Sequence, residues 1–145
     1  MLPPFNSAGD LPGGIHIADW TEIEQRFGHN PTGRVRAYAR LRHLYELANR
    51  TGALLRFIVF GSFVSTAVAP RDIDVVLVMT EDFRLDDAPR ESRTLFSHPD
   101  ADARYGASVF WVREGMLSEE LMRNFLETWQ TKRDGTKRGL VEIKS

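Results

Sequence analysis

Apolar residues recur along the chain with two different spacings, which predict an alternation of helices and strands. Spacings of three and four residues predict a helix of about five turns over residues 33–50. Its predicted start signal is Asn30-Pro31, a capping residue followed by a proline. A shorter helix is predicted over residues 20–27, after a capping box made by Asp19 and Glu22. A further helix is predicted over residues 118–130.

Three segments rich in β-branched and aromatic residues predict strands: Leu54–Phe60, Ile73–Met79 and residues 108–112. A helical stretch is predicted between the first two. Residues 80–104 are polar, contain two prolines and are predicted to be a mobile loop. Leu140–Ile143 is predicted to be a final edge strand. The order of elements indicates an α/β (α+β) fold, in which a small mixed β-sheet is flanked by helices.

Length and composition limit the classes of protein. A chain of 145 residues is expected to form a single domain over residues 1–145, with residues 1–14 as an extended, Pro- and Gly-rich N-terminal arm. The net charge of −1 argues against a nucleic-acid binder held by a broad basic field. The absence of cysteine excludes disulfides, thiolate zinc sites and a cysteine nucleophile. No signal peptide or membrane-spanning run is recognisable, so a cytoplasmic protein without a membrane partner is expected.

Two pairs of residues at the ends of neighbouring predicted strands carry the candidate chemistry. Asp72 and Asp74 lie at alternate positions and are expected to project from the same face of a strand. Two neighbouring carboxylates repel each other unless a cation lies between them, and oxygen ligands suit Mg²⁺ or Mn²⁺. Gly61 and Ser62 form a turn before a helical stretch, where backbone N–H groups and a hydroxyl can hold phosphate. Together they predict nucleotidyl transfer from a metal-bound triphosphate.

This arrangement resembles the DNA polymerase β-like nucleotidyltransferase superfamily. The resemblance implies that Gly61 and Ser62 bind the nucleotide, and that Asp72 and Asp74 are the catalytic carboxylates and the ligands of Mg²⁺ or Mn²⁺. A wider likeness, to a group of uncharacterised bacterial and phage nucleotidyltransferase-like proteins, spans most of the chain. It is carried by Leu11-Pro12-Gly13-Gly14-Ile15-His16, Arg26-Phe27-Gly28 and Gly61-Ser62-Phe63-Val64.

The chain departs from the superfamily pattern at two places. Residues 63–66 stand where many active members have an arginine and a glycine after the Gly-Ser pair. The predicted strand over residues 105–112 contains no acid, and Ser108 stands where a third carboxylate is expected. Asp102 or Glu114 would have to supply that carboxylate from a flank.

The resemblance implies a metal-dependent nucleotidyltransferase that moves a nucleoside monophosphate from a nucleoside triphosphate to an acceptor hydroxyl, on a partner protein or a tRNA end. The alternative is a catalytically impaired binding or interaction module with the same fold, for example one half of a toxin–antitoxin pair or a phage-defence component. A third interpretation is purely structural: Asp72 caps a turn, and Asp74 pairs with Arg71 or Arg56.

Overall fold

A five-stranded mixed sheet organises the chain, whose computed structural model describes residues 1–29, 31–70 and 72–144. The described strands are β1 (Ile15–Ala18), β2 (Leu54–Phe60), β3 (Ile73–Met79), β4 (Ala107–Arg113) and β5 (Leu140–Ile143). Their spatial order is β1-β5-β2-β3-β4. β2 is antiparallel to both β3 and β5, whereas β1 pairs with β5 and β3 pairs with β4 in parallel. The predicted mixed α/β fold is confirmed.

Two of the described helices begin at residues whose side chains accept hydrogen bonds from their free N–H groups. The described α-helices are α1 (Trp20–Phe27), α2 (Thr32–Asn49), α3 (His98–Tyr105) and α4 (Glu119–Gln130). The Asp19 carboxylate accepts a hydrogen bond from Glu22 N at 2.9 Å, and Ser118 caps α4 in the same way, as predicted. The predicted cap of α2 at Asn30 lies outside the described residues. No helix in the described part of the chain is long and apolar enough to cross a membrane.

The two faces of the sheet carry different partners. Along β3, Ile73, Val75, Leu77 and Met79 pack into the larger core cluster with residues of α1 and α2. Val76 points to the other face and packs with Phe60 of β2 and with Leu126 of α4. Because side chains alternate along a strand, Asp74 lies on the α4 face of the sheet.

Residues 80–104 are folded, so the prediction of a mobile loop is wrong. The segment contains two 3₁₀ turns, Leu85–Asp87 and Arg90–Phe96, and most of α3. Phe83 and Phe96 are buried with their ring centroids 5.0 Å apart, and both rings contact Trp111 of β4. A few widely spaced apolar residues hold this acidic segment against the sheet. They could not be recognised from the mean polarity of the segment.

The position predicted for β5 is also wrong, because β5 lies between β1 and β2 and is not an edge strand. The edge of the sheet beside β5 is formed by β1, which the sequence pattern did not predict. β1 has four residues, and its side chains at Ile15 and Ile17 are 37% and 58% exposed. With only four residues, β1 is too short to show the alternating pattern from which a strand is recognised, and its two isoleucines face outward.

Candidate active site

The two predicted carboxylates lie at the start of β3. Asp74 is in register with Phe60 of β2 on one side and with Ser108 of β4 on the other. Asp74 is partly buried, whereas Asp72 is exposed. The Ser108 hydroxyl donates a hydrogen bond to the Asp74 carboxylate. Ser108 therefore faces the carboxylate from the adjacent strand, at the position where a third acid was expected.

The ionised form of Asp74 is disfavoured by its surroundings. Burial, and after it the negative charge of Asp72, raise the pKa of Asp74 to about 6. The hydrogen bond from Ser108 and the positive charge of Arg138 act in the opposite direction without cancelling the increase. A carboxylate in this state gains stability when a cation approaches it.

The predicted Gly-Ser pair forms a turn against the same carboxylate. β2 ends in a 3₁₀ turn, Gly61–Val64, and Gly61 has a φ of +81°, which favours glycine. A Cβ at Gly61 would overlap the Asp74 carboxylate. The sequence pattern predicted a turn that can hold phosphate. The structure shows a further steric requirement, because the backbone of the turn passes directly against Asp74.

A buried arginine fixes the segment that follows the turn. Arg34 of α2 is 6% exposed, a burial that is unusual for an arginine. Its Nη1 donates to Phe63 O at 2.9 Å, and its Nη2 donates to Ser65 O and Ala67 O, both at 2.6 Å. Nη1 also donates to Phe27 O at 3.2 Å, and burial lowers the pKa of the guanidinium. Arg34 thereby connects α1 and α2 to the Gly-Ser turn.

An open cleft of about 740 Å³ begins at this turn. Gly61, Ser62 and Asp74 lie on one side of it, while Asp72 is outside the lining. The other side is formed by the end of α4 and the hairpin that leads to β5. The lining side chains on that side include Thr128, Trp129, Thr131, Lys132, Arg133, Asp134 and Arg138. Asp74, the Gly-Ser turn and several cations are therefore arranged around one cleft.

The N-terminal arm holds two of these cations. Asp10 is 2% exposed, and its two carboxylate oxygens accept hydrogen bonds from Lys132 Nζ and Arg138 Nε, each at 2.8 Å. Burial alone would raise the pKa of Asp10, but the hydrogen bonds from the two cations outweigh it and hold the pKa below its ordinary value. The arm also contacts the Gly-Ser segment, since Thr66 N donates to Gly9 O at 2.9 Å.

The flanking acids considered for the third carboxylate do not line the cleft. Glu114 follows the far end of β4, where Arg113 is in register with Met79, whereas Ser108 lies near the beginning of that strand. Asp102 is exposed on α3. Within residues 1–29, 31–70 and 72–144, no group of three or more His, Asp or Glu side chains is placed to hold a metal ion. Any metal site here would depend on fewer protein ligands.

The structure bears on part of the purely structural interpretation of Asp74. Arg56, one of the two proposed partners, donates to Glu142 of β5 with an Nη2–Oε1 distance of 2.7 Å. Arg71, the other proposed partner, lies outside the described residues. The carboxylate that engages Arg56 is therefore Glu142.

The sequence pattern did not single out Lys132, Arg138, Asp10 or Arg34 as site residues. The cluster of charges in residues 132–138 was visible, but such clusters are usually solvated. Nothing in the spacing connected that cluster to the Gly-Ser pair about 70 residues earlier or to the arm. Tertiary structure alone brings Lys132 and Arg138 to the cleft, and Asp10 and Arg34 to the groups behind its lining.

Comparison with known proteins places the chain in a family. Residues 3–144 match a family of unknown function (DUF6932). The chain belongs to that family. The DUF6932 match includes both the N-terminal arm and β5, so it covers every part of the cleft described above. No curated protein and no solved structure matches the chain.

Proposed function

We propose that this DUF6932 protein is a metal-dependent nucleotidyltransferase, which moves a nucleoside monophosphate from a nucleoside triphosphate to an acceptor hydroxyl. The observation that carries the proposal is the contact between the Gly-Ser turn and Asp74. Gly61, in a left-handed conformation, brings the backbone of the turn directly against a carboxylate with a raised pKa. Phosphate and a divalent cation would therefore meet at one end of the cleft.

The residues present fit Mg²⁺ or Mn²⁺. In nucleotide enzymes Mg²⁺ is commonly bound by one or two carboxylates together with substrate phosphates, and not by a cage made only of protein ligands. Asp72 and Asp74 offer two carboxylates, and a cation between them would remove the repulsion that contributes to the raised pKa of Asp74. When bound, the metal would neutralise phosphate charge and polarise the α-phosphate.

The residues of the chain have separate tasks in this proposal. The N–H groups of Gly61 and Ser62 and the Ser62 hydroxyl donate to phosphate oxygens, while Arg34 holds the carbonyl groups behind the turn in place. Ser108 orients Asp74 through its hydrogen bond. The acceptor oxygen forms a bond to the α-phosphorus as the bond to the bridging oxygen breaks. Pyrophosphate leaves with that electron pair, and the hydroxyl proton passes to water.

A nucleotide-binding module without efficient transfer is the second candidate, and one observation favours it. Ser108 occupies the position in register with Asp74, and a serine hydroxyl is a poor base for the acceptor. A positioned general base is typically worth about 10²–10⁴-fold in rate. Such a module would serve as an interaction partner, for example in a toxin–antitoxin pair.

Titration calorimetry with ATP, GTP, CTP and UTP tests the proposal, in Mg²⁺, in Mn²⁺ and in EDTA. Gly61→Ala should abolish metal-dependent binding, because the new methyl group overlaps the Asp74 carboxylate. Gly52→Ala is the matched control, since Gly52 also has a positive φ, of +70°, but has open space around its Cβ position. Equal binding by the two variants, or no binding of any nucleotide by the wild type, would contradict the proposal.

Transfer of an α-labelled nucleotide separates the two candidates. The enzyme is expected to label an acceptor and release pyrophosphate at a rate that Asp74→Asn abolishes. The binding module is expected to retain metal-dependent nucleotide affinity without pyrophosphate release.

A further inference from the structure

The cations opposite the Gly-Ser turn have no task in the mechanism described so far. We propose that Lys132 and Arg138 bind the β- and γ-phosphates of the nucleotide, and that the N-terminal arm, through Asp10, sets the positions of both side chains. The inference rests on the proposed function, because it assigns residues to the triphosphate of that same nucleotide. It adds the hairpin over residues 131–139 and the arm to the site.

The hairpin is held rigidly across the cleft from the turn. Thr131 and Lys137 form a β-bridge, Lys132 N donates to Thr136 O at 2.9 Å, and Arg138 N donates to Gln130 O at 2.7 Å. The hairpin leads into β5, which pairs with β2, the strand that ends at the Gly-Ser turn. The backbone that carries these cations is therefore connected to the Gly-Ser turn through β5 and β2.

Both cations keep hydrogen-bond donors for a ligand. An ammonium group has three donors and a guanidinium has five. Asp10 engages Lys132 Nζ and only the Nε of Arg138, and the two side chains remain 27% and 22% exposed. The Nη groups of Arg138 can donate in parallel to two phosphate oxygens. Arg138 and Asp74 line the same cleft, so the guanidinium lies across it from the Gly-Ser turn.

The charges on this side of the cleft suit a polyphosphate. Lys132, Arg133 and Arg138 supply three positive charges, against the two carboxylates of Asp10 and Asp134. One positive charge is left over on this side, while the carboxylate of Asp74 lies on the other side of the cleft. A triphosphate placed between the two sides would direct its terminal phosphates toward the cations. Its α-phosphate would lie near the carboxylate of Asp74 and share a metal with it.

The carboxylate of Asp10 is itself fixed by the arm. Asp10 N donates to the Asn6 carboxamide at 3.1 Å, and Asn6 N donates to Asp10 O at 2.7 Å. The next residue, Leu11, is fully buried, and Asp10 forms a β-bridge with Ser65. Because the arm contacts both the Gly-Ser segment and the hairpin, it sets the width of the cleft between them.

Calorimetric titration of the full chain with ATP, AMP and inorganic tripolyphosphate tests this assignment. Lys132→Gln and Arg138→Lys should each weaken ATP binding by about tenfold or more, because each removes a charge-assisted hydrogen bond to phosphate. AMP binding should change by less than about twofold, since AMP lacks the two terminal phosphates. The matched control for Lys132→Gln is Lys137→Gln, which removes one positive charge from the same hairpin at a side chain that pairs with Glu127 and lies outside the cleft lining.

The outcomes distinguish this inference from the proposed function. If both site variants bind ATP as tightly as Lys137→Gln does, the cations do not bind phosphate, and the proposed function stands on Gly61. If the wild type binds tripolyphosphate through Lys132 but binds no nucleotide, the proposed function fails while the phosphate-binding role of Lys132 is supported. Binding of neither probe by the wild type overturns both. Should Lys132→Gln not fold, Asp10→Asn/Lys132→Gln replaces it, because that pair leaves less uncompensated buried charge.

Discussion

Replacing Asp74 by asparagine removes one negative charge from the cleft at nearly constant volume. The pKa of Asp74 is raised from 3.8 to about 6, chiefly by burial and then by Asp72. A difference of about two pKa units corresponds to roughly 3 kcal/mol at about 1.4 kcal/mol per unit. Because Asp74 is partly exposed, solvent screening reduces this figure, and we expect ionisation of Asp74 to destabilise the metal-free protein by about 2 kcal/mol.

The direction of the pH dependence follows from the raised pKa. Between about pH 4 and about pH 6, the folded protein binds more protons at Asp74 than the unfolded chain does, so the free energy of unfolding falls as the pH rises. Above about pH 6, Asp74 is ionised in both the folded and the unfolded state, and its titration lowers the free energy of unfolding no further. The asparagine in the Asp74→Asn variant does not titrate, and its carboxamide oxygen can still accept the hydrogen bond from Ser108. The variant should therefore match the wild type at low pH and exceed its stability by about 2 kcal/mol at about pH 7.5.

Urea unfolding in EDTA across this pH range measures the difference directly. Asp102→Asn, which removes the charge of an exposed carboxylate outside the cleft lining, is the control and should not reproduce the change. Asp72→Asn should recover a smaller part of the stability, because burial is the larger cause of the raised pKa. Adding Mg²⁺ should stabilise the wild type and not Asp74→Asn. A stability difference that does not vary with pH, or equal stabilisation of both proteins by Mg²⁺, would refute the reasoning.

Three further substitutions test other parts of the site. Ser108→Asp adds a third carboxylate, so it should lower the melting temperature in EDTA and tighten Mn²⁺ binding. An unchanged melting temperature in EDTA would contradict the placement of Ser108 beside Asp74. Arg34→Met should cost at least about 3 kcal/mol in urea unfolding, because it leaves buried carbonyl groups unpaired, whereas the exposed Arg36→Met on the same helix should cost little. The pKa of Asp10 is lowered in the folded protein, so ionisation of Asp10 stabilises the fold. This stabilisation is present above the ordinary pKa of 3.8 and is lost as the pH falls through the lower pKa of the folded state. Asp10→Asn should consequently be less stable than the wild type at neutral pH and approach it in acid; a deficit that persists at about pH 2 in thermal melts would argue against this account.

Elements with a strong apolar pattern were predictable, whereas those held by a few long-range contacts were not. Leu54–Phe60 and Ile73–Met79 have the predicted bounds, because both strands lie within the sheet and are largely buried. The helix predicted over residues 33–50 is Thr32–Asn49. β1 escaped prediction because four residues are too few to show a strand pattern, and without it β5 could only be expected at an edge. The segment over residues 80–104 was misjudged because its buried aromatic residues are isolated among acids.

Some residues of the candidate site were predictable from the sequence and others were not. Gly61, Ser62, Asp72 and Asp74 lie within 14 consecutive residues, so a local pattern of strand, turn and strand is enough to place them together. Asp10 lies 122 residues from Lys132, and neither residue differs in its local pattern from an ordinary solvated charge. Only the fold shows that one buried carboxylate of the arm holds two cations of the cleft, because burial of Asp10 is tolerable only where both cations reach it. The N-terminal arm therefore belongs to the site. Variants of Lys132 and Arg138 should separate the effect of the arm on phosphate affinity from its effect on the stability of the fold.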